Sequence, residues 1–271
     1  MNDGTNAPGR DAGPADPYPL LRSPRGALVD DREALLANVL NDPADDTARL
    51  VLADWLEEHG EDPFGRFVRA GLVAARFRSE DLIDAPDYYD ALDTISGVVT
   101  SGEPGRWLSA LGIGLSPFGL SDWAWDNAAD RVTVRIGAVT GVFTRGLLSE
   151  LVLTLADWRT LAPHALAAWP IERATITDVK GLTFEIEPPR ADRAGWRLLA
   201  TLVRRRRDQR SGRRQLLATL FGRTDEPDLL PGLWSAESSL FPDRPALVES
   251  ASAVTASLLA EVLQASQQKN T

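Results

Sequence analysis

Residues 45–60 read DDTARLVLADWLEEHG, and this stretch decides how the fold begins. Acidic residues at its start and Gly60 at its end are typical of the two ends of a helix. The apolar residues between them recur at helical spacing. The stretch therefore predicts a helix that carries four large apolar side chains on one side: Leu50, Val51, Trp55 and Leu56.

A further helix is predicted on each side of this stretch. Asp30 with Glu33 three residues later forms a capping-box pattern, and the helix after it stops at Asn41-Asp42-Pro43. Pro63 suits the first turn of a third helix. Its inward side chains are expected to be Phe64, Phe67, Val68, Leu72 and Val73. Three short helices joined by tight turns predict a compact helical unit over residues 29–77.

This helical unit resembles the bacterial repeat-companion domain, a family named for standing beside leucine-rich and other repeats. The likeness covers residues 30–77 and rests on DREALLANVL at residues 31–40 and on the run D-D-T-x-R-L-V-x-A-D-W-L-E-E-x-G. After Gly60 the family's usual R-A-E-F-I-R-x-Q is replaced by Gly65-Arg66-Phe67-Val68-Arg69-Ala70. The resemblance implies an interaction role by association, and it implies no catalytic, cofactor or ligand residue. The structural motif residues are Asp46, Arg49, Asp54 and Trp55.

Residues 131–190 predict strands around a helix. Residues 131–136 alternate apolar and polar side chains, as a half-buried strand does. Thr154 and Asp157 form a capping-box pattern, so we expect a helix from there through residue 168. Strands are expected on both sides of it, at residues 151–153, 174–177 and 183–186.

This strand-helix-strand unit is similar to a degenerate leucine-rich repeat. The likeness rests on Phe143-Thr144-Arg145-Gly146-Leu147 and on Pro170-Ile171-Glu172-Arg173. Equivalent strand positions lie about two dozen residues apart, within the period of such repeats. The unpaired edge of so small a sheet invites strand addition or self-association.

The remaining segments complete an α+β prediction. Residues 1–28 predict a flexible leader, and residues 78–130 a connector with helical hints at 88–95 and 107–111. Residues 191–271 predict a mainly helical C-terminal part. Its helices are expected near 196–207 and 215–221, followed by a last helix with the stripe Leu247, Ala251, Val254, Leu258 and Val262. The predicted fold is an N-terminal three-helix unit, a small leucine-rich-repeat-like β-α-β segment and this helical part.

The composition indicates the cellular compartment and the kinds of partner to expect. There are no cysteines, which fits a reducing compartment, and the apolar stretches are broken by charge or proline well short of a membrane span. No signal peptide is evident. We therefore expect a cytoplasmic protein without a membrane partner. The formal net charge of −10 disfavours general coating of nucleic acid.

One basic segment stands out against this acidic background. Its arginines suit phosphate or carboxylate groups, so the segment is either a solvated helix end and loop, a contact for an acidic protein surface, or a grip on nucleic acid. The candidate partner-binding residues are Arg204, Arg205, Arg206, Arg207, Arg210, Arg213 and Arg214.

Other residue sets favour structural interpretations over chemistry. His59 and His164 are the only histidines and lie in different predicted units, so we expect no catalytic triad and no metal site. The carboxylates of Asp54, Glu57 and Glu58 predict a solvated or salt-bridged helix face rather than an acid–base pair or a cation site. Trp123 and Trp125 predict the inward face of a strand, with a stacking surface for a base or sugar as the alternative.

The sequence as a whole predicts a non-enzymatic module for protein–protein interaction or scaffolding, with a protein partner and no cofactor. The alternative is a nucleic-acid-binding accessory protein that uses the arginine segment at residues 204–214. A hydrolase with a dispersed acidic site is a third class, and it requires a deep pocket that gathers distant carboxylates.

Overall fold

The computed structural model of the chain describes residues 28–77, 85–112, 122–126, 131–190, 192–204 and 232–268. These residues form seven helices and an eight-stranded mixed sheet, so the predicted α+β class is confirmed. The predicted leader, except Leu28, and the predicted helix at 215–221 lie outside the described residues.

The first part of the described chain is helical. Its helices are α1 (Leu28–Asn41), α2 (Asp46–Glu58), α3 (Asp62–Ala74), α4 (Pro86–Thr100) and α5 (Glu103–Ala110). The three helices predicted over residues 29–77 are thus confirmed, and the two helical hints in the connector fall on α4 and α5. Helix α1 begins at Leu28, so the prediction that Asp30 caps its first turn was wrong.

The buried side of α2 differs from the predicted one. Arg49, Leu52, Ala53 and Leu56 are buried, whereas Val51 is 46% exposed. The buried set follows the i, i+3, i+4, i+7 spacing of one helix face and includes an arginine. The sequence interpretation left Arg49 out because it assigned the inward side by hydrophobicity alone.

The strands pair in chain order to form a single sheet. All neighbouring pairs are antiparallel except β4 and β5, which pair in parallel and are connected by helix α6 (Leu155–Ala168). The predicted strands and the capped helix of residues 131–190 are confirmed, while β3 and β8 were not predicted. The strands are β1 (Asp122–Asp126), β2 (Arg131–Ile136), β3 (Val139–Thr144), β4 (Leu147–Leu153), β5 (Arg173–Ile176), β6 (Leu182–Glu187), β7 (Arg197–Arg204) and β8 (Gly232–Glu237).

Two expectations about the sheet were wrong. Residues 197–204 form strand β7 rather than a helix, with Leu198, Ala200 and Leu202 buried at alternate positions. The strand-helix-strand unit has no open edge, because β3 covers β4 and β6 covers β5. Within the described residues, the outer strands of the sheet are β1 and β8.

The helices cover one face of the sheet and leave charged side chains on the other. In β6 the side chains of Leu182, Phe184 and Ile186 are buried, while the alternate residues carry charge or hydroxyl groups. Ion pairs cross the opposite face between strands, as in Arg173–Glu185 at 3.2 Å. A single hydrophobic core runs from Val39 in α1 to Val262 in the last helix, α7 (Arg244–Gln268).

Helix α7 completes the core layer. It packs against α6, β7 and β8, and the predicted stripe is buried except for Val254, which is partly exposed. Contrary to the sequence prediction, its Arg244–Ala265 part is long and apolar enough to cross a membrane by length and composition, with 28% of that window buried. Core helices of soluble proteins meet the same criterion.

Candidate functional site

Arg49 of the predicted structural motif joins the helical unit to the sheet. The residue is 3% exposed, and its guanidinium donates hydrogen bonds to the carbonyl oxygens of Pro43, Thr144 and Arg145, the last two at 2.9 and 3.2 Å. Burial lowers the pKa of Arg49 to about 10, so the group stays protonated at neutral pH. A buried arginine that bonds three carbonyls holds the α1–α2 connection against the turn after β3.

That turn contains Arg145 and Gly146, the two residues between paired Thr144 and Leu147. Both have positive φ, at 51° and 77°, as a tight two-residue hairpin turn requires. Arg145 forms an ion pair with Asp46 at 3.0 Å. Asp46 and Arg49 therefore bind the same turn, and both motif residues serve the joint between α2 and the β3–β4 hairpin.

Asp54 and Trp55 serve contacts within the helical unit. Asp54 and Glu57 of α2 form ion pairs with Arg69 of α3, and these carboxylates raise the pKa of Arg69. The prediction of a salt-bridged helix face is confirmed for these two residues. Trp55 stacks on His59 with ring centroids 4.0 Å apart. In the described part of the chain, no three His, Cys, Asp or Glu side chains are grouped to hold a metal ion.

The predicted partner-binding arginines fall mostly beyond the described residues. Arg204 is the last residue of β7, where its backbone pairs with Gly232 of β8. The others, Arg205, Arg206, Arg207, Arg210, Arg213 and Arg214, lie outside the described residues. Arg204 ends a strand, which corrects its predicted place at a helix end.

A cleft of about 570 Å³ opens beside the joint. The α1–α2 connection forms one wall, and β5, β6 and the residues after β6 form the other. Its lining combines rigid apolar groups with charges of both signs. The apolar residues include Pro43, Ile171, Ile186, Pro188, Pro189 and Trp196, and the carboxylates are Asp42, Glu150, Glu172, Glu185 and Glu187.

The cleft gathers carboxylates that lie far apart in the chain, which is the feature that the hydrolase class requires, but all of its glutamates except Glu172 are engaged in ion pairs within the described residues. Glu150, Glu185 and Glu187 form ion pairs with arginines of neighbouring strands and loops. Within the described residues, no cationic group lies within 4 Å of the Glu172 carboxylate. Desolvation in the cleft raises the pKa of Glu172, although nearby arginines act in the opposite direction. The residue itself is exposed, so solutes can reach it.

Arg244 forms the deep end of the cleft. It is 3% exposed and donates hydrogen bonds to the carbonyl oxygens of Leu40, Leu166 and Trp169, at 3.3, 3.0 and 2.6 Å. Its guanidinium lies 4.8 Å from the centroid of the Trp196 ring. Burial lowers its pKa to about 10. Arg244 thus fixes the ends of α1 and α6 to the start of α7.

The sequence interpretation missed Glu172 and Arg244 as site residues. Asp243 accepts a hydrogen bond from the Ala246 amide at 2.9 Å, which is a helix-start signal visible in the sequence. This signal locates the start of the helix, but it does not indicate whether the next residue, Arg244, is buried or solvated. In the sequence Glu172 belongs to the repeat-like Pro170–Arg173 segment, and nothing in that pattern marks it as a binding residue.

A second groove, of about 440 Å³, lies between α3 and α4. Its lining includes Arg66, Arg69 and Arg76 together with Glu57, Asp87 and Asp90. Its charges are balanced, and Arg69 is already committed to α2. The groove therefore favours no charged ligand, and of these two concave surfaces formed by described residues the cleft beside the joint is the stronger candidate site.

No family model, curated protein or solved structure matches the chain. The cleft and the joint beside it are therefore the features from which a function is inferred.

Proposed function

We propose that the protein is a non-enzymatic cytoplasmic module that binds a protein partner and serves interaction or scaffolding. The observation that carries this proposal is the cleft beside the α2–hairpin joint, which is open and left with two carboxylates, Asp42 and Glu172, that make no ion pair within the described residues. A preformed concave surface that combines apolar residues with convergent polar groups is typical of a binding site.

The joint supports the proposal by fixing both walls of the cleft. Arg49 holds Pro43 in one wall, and Arg244 holds Leu40 and Trp169 behind it. Groups that are held in place before binding lose less conformational entropy when a partner arrives. A surface of this kind suits recognition of a protein.

We also propose that residues 30–77 belong to the repeat-companion domain family and that β4–α6–β5 is a leucine-rich-repeat-like unit. The parallel register supports the second assignment, because Leu151 pairs with Ala174 across one strand-helix connection. That spacing lies within the roughly 20–29 residues of such repeats. The residues shared with the family include Asp46 and Arg49, which bind the entry into this unit.

Site-specific photo-crosslinking tests the interaction. A benzophenone amino acid is placed at Ala44, an exposed residue in the cleft wall, and in a matched variant at Ala253, an exposed residue of α7. Each variant is irradiated in lysate with and without nuclease. We expect a discrete protein adduct from position 44, resistant to nuclease and absent from position 253.

A variant with alanine at residues 204–207 separates the two functions that the sequence left open. The protein adduct should persist in this variant if the cleft binds the partner. Recovery only of nuclease-sensitive material that disappears in the variant would overturn the proposal in favour of nucleic-acid binding, whose affinity also falls steeply with salt.

A further inference from the structure

The arginines around Glu172 are all engaged elsewhere. The charged groups that act on its carboxyl are Arg49, Arg145, Arg173, Glu150 and Arg244. Arg49 and Arg244 donate to backbone carbonyls, Arg145 pairs with Asp46, and Arg173 pairs with Glu185. Each of these cations already makes a hydrogen bond or an ion pair with another group.

The backbone holds Glu172 in position. Its amide donates to the Ser149 carbonyl at 2.7 Å, and its carbonyl accepts from the Ile186 amide at 2.9 Å. These two bonds fix the residue between β4 and β6 at the mouth of the cleft. The carboxylate is therefore presented from a rigid backbone, with no described cation in contact.

The remaining lining suits a long side chain with a charged end. Pro188 is half-buried and Pro189 exposed, and both give the cleft apolar surface, while Asp42 adds a second carboxylate that makes no ion pair within the described residues. Arginine and lysine side chains pack their aliphatic stems on apolar surface and keep their charged end on polar groups. The volume lies within the usual range of about 300–1,000 Å³ for ligand sites.

We propose that this cleft receives a basic side chain, arginine or lysine, of a partner polypeptide, with Glu172 as the carboxylate that binds its charged end. The proposal rests on the interaction function above and specifies the chemistry of the partner. The cleft would then present a negative charge to the partner, whereas the predicted arginine segment presents positive charges. The two regions would then contact different parts of a partner.

The test uses a matched pair of tripeptides and the full chain. Acetyl-Gly-Arg-Gly-amide carries the cation, and acetyl-Gly-citrulline-Gly-amide has nearly the same shape without the charge. Each is titrated into isotopically labelled protein, and amide shifts are followed at Glu172 and Ile186. We expect the arginine peptide to shift these amides and to bind on the order of tenfold more tightly than the citrulline peptide.

Two variants assign the binding to the carboxylate. E172Q keeps the shape of the side chain and should weaken arginine-peptide binding on the order of tenfold. E249Q makes the same change in net charge at an exposed residue of α7 and should bind as the wild type does. Arginine peptide should also lower the carboxyl pKa of Glu172, followed by carbon NMR in the wild type, because a bound cation favours the ionised form.

Specific results overturn the proposal. Equal binding of the two peptides, equal binding by E172Q and wild type, or no shift at the cleft amides even at high millimolar peptide would each do so. Crosslinking from Ala44 to a protein partner together with any of these results would leave the interaction function standing and remove only the basic side chain. Failure of both experiments would remove both.

Discussion

Gly71 of α3 and Gly146 of the β3–β4 turn meet backbone to backbone. A Cβ atom on Gly71 would lie 2.4 Å from the Gly146 amide nitrogen, and one on Gly146 would lie 2.3 Å from the Val68 Cα. Neither space admits a methyl group. The helical unit therefore docks on the sheet through two glycines, next to the ion pair of Asp46 and Arg145 and the buried Arg49.

The glycine contact predicts opposite effects of alanine at two helical glycines. Gly71→Ala should destabilise the protein by about 1–3 kcal/mol, because backbone atoms must move apart to admit the methyl group. Gly97→Ala in α4 is the matched control: a Cβ atom at that position would have no neighbour within 4 Å, and alanine should stabilise that helix by about 0.5–1 kcal/mol. Urea unfolding followed by tryptophan fluorescence measures both. Equal effects of the two changes would contradict the close contact.

Removing the Arg49 guanidinium should also weaken the joint. Arg49→Met keeps an unbranched side chain but leaves the carbonyls of Pro43, Thr144 and Arg145 without their donor. We expect a loss of about 2–4 kcal/mol in the free energy of unfolding. Arg66→Met, at an exposed residue of α3, should change it by less than about 0.5 kcal/mol. Hydrogen exchange should show faster exchange around residues 144–147 in the Arg49 variant, and unchanged exchange there would argue against the joint.

Changing two threonines to valine should have different effects on the stability of the protein. The Thr255 hydroxyl is fully buried in α7 and has no hydrogen-bond partner among the described residues, so Thr255→Val should be neutral or stabilising by up to about 1 kcal/mol. The Thr154 hydroxyl accepts from the Asp157 amide at 3.1 Å and caps α6. Thr154→Val should therefore cost about 1 kcal/mol. Thermal unfolding of both variants checks the pair, and a large loss from Thr255→Val would reveal a partner for that hydroxyl.

The raised pKa of Glu172 predicts how stability depends on pH. In the folded state the carboxyl keeps its proton to higher pH than in the unfolded chain, so its ionisation lowers stability as the pH rises through this interval. Glu172→Gln does not ionise. The variant should match the wild type below the ordinary glutamate pKa of about 4.3 and exceed it in stability well above that pH. Chemical denaturation across this range measures the difference, and a less stable variant at neutral pH would show that the neighbouring arginines outweigh desolvation.

Local patterns were sufficient for most elements of the fold. The capping box at Thr154 and Asp157 forms as predicted, with the Thr154 hydroxyl on the Asp157 amide. Residues 131–136 alternate in burial as predicted. Residues 197–204 were misread because leucine and alanine favour helices, while the sheet imposes a strand by pairing both sides of the segment.

The amino-acid order alone was enough to locate most helices and to identify the strands in which apolar and polar side chains alternate. It also showed that α2 carries a motif of charged residues. What those charges do depends on tertiary contacts, because Arg49 and Arg244 are buried by elements about a hundred or more residues distant in the chain, at Thr144 and Leu40. Helix caps and alternation depend on neighbours within a few residues, so a sequence displays them. Burial and ion pairing depend on which segments meet in space, and the chain order does not display that.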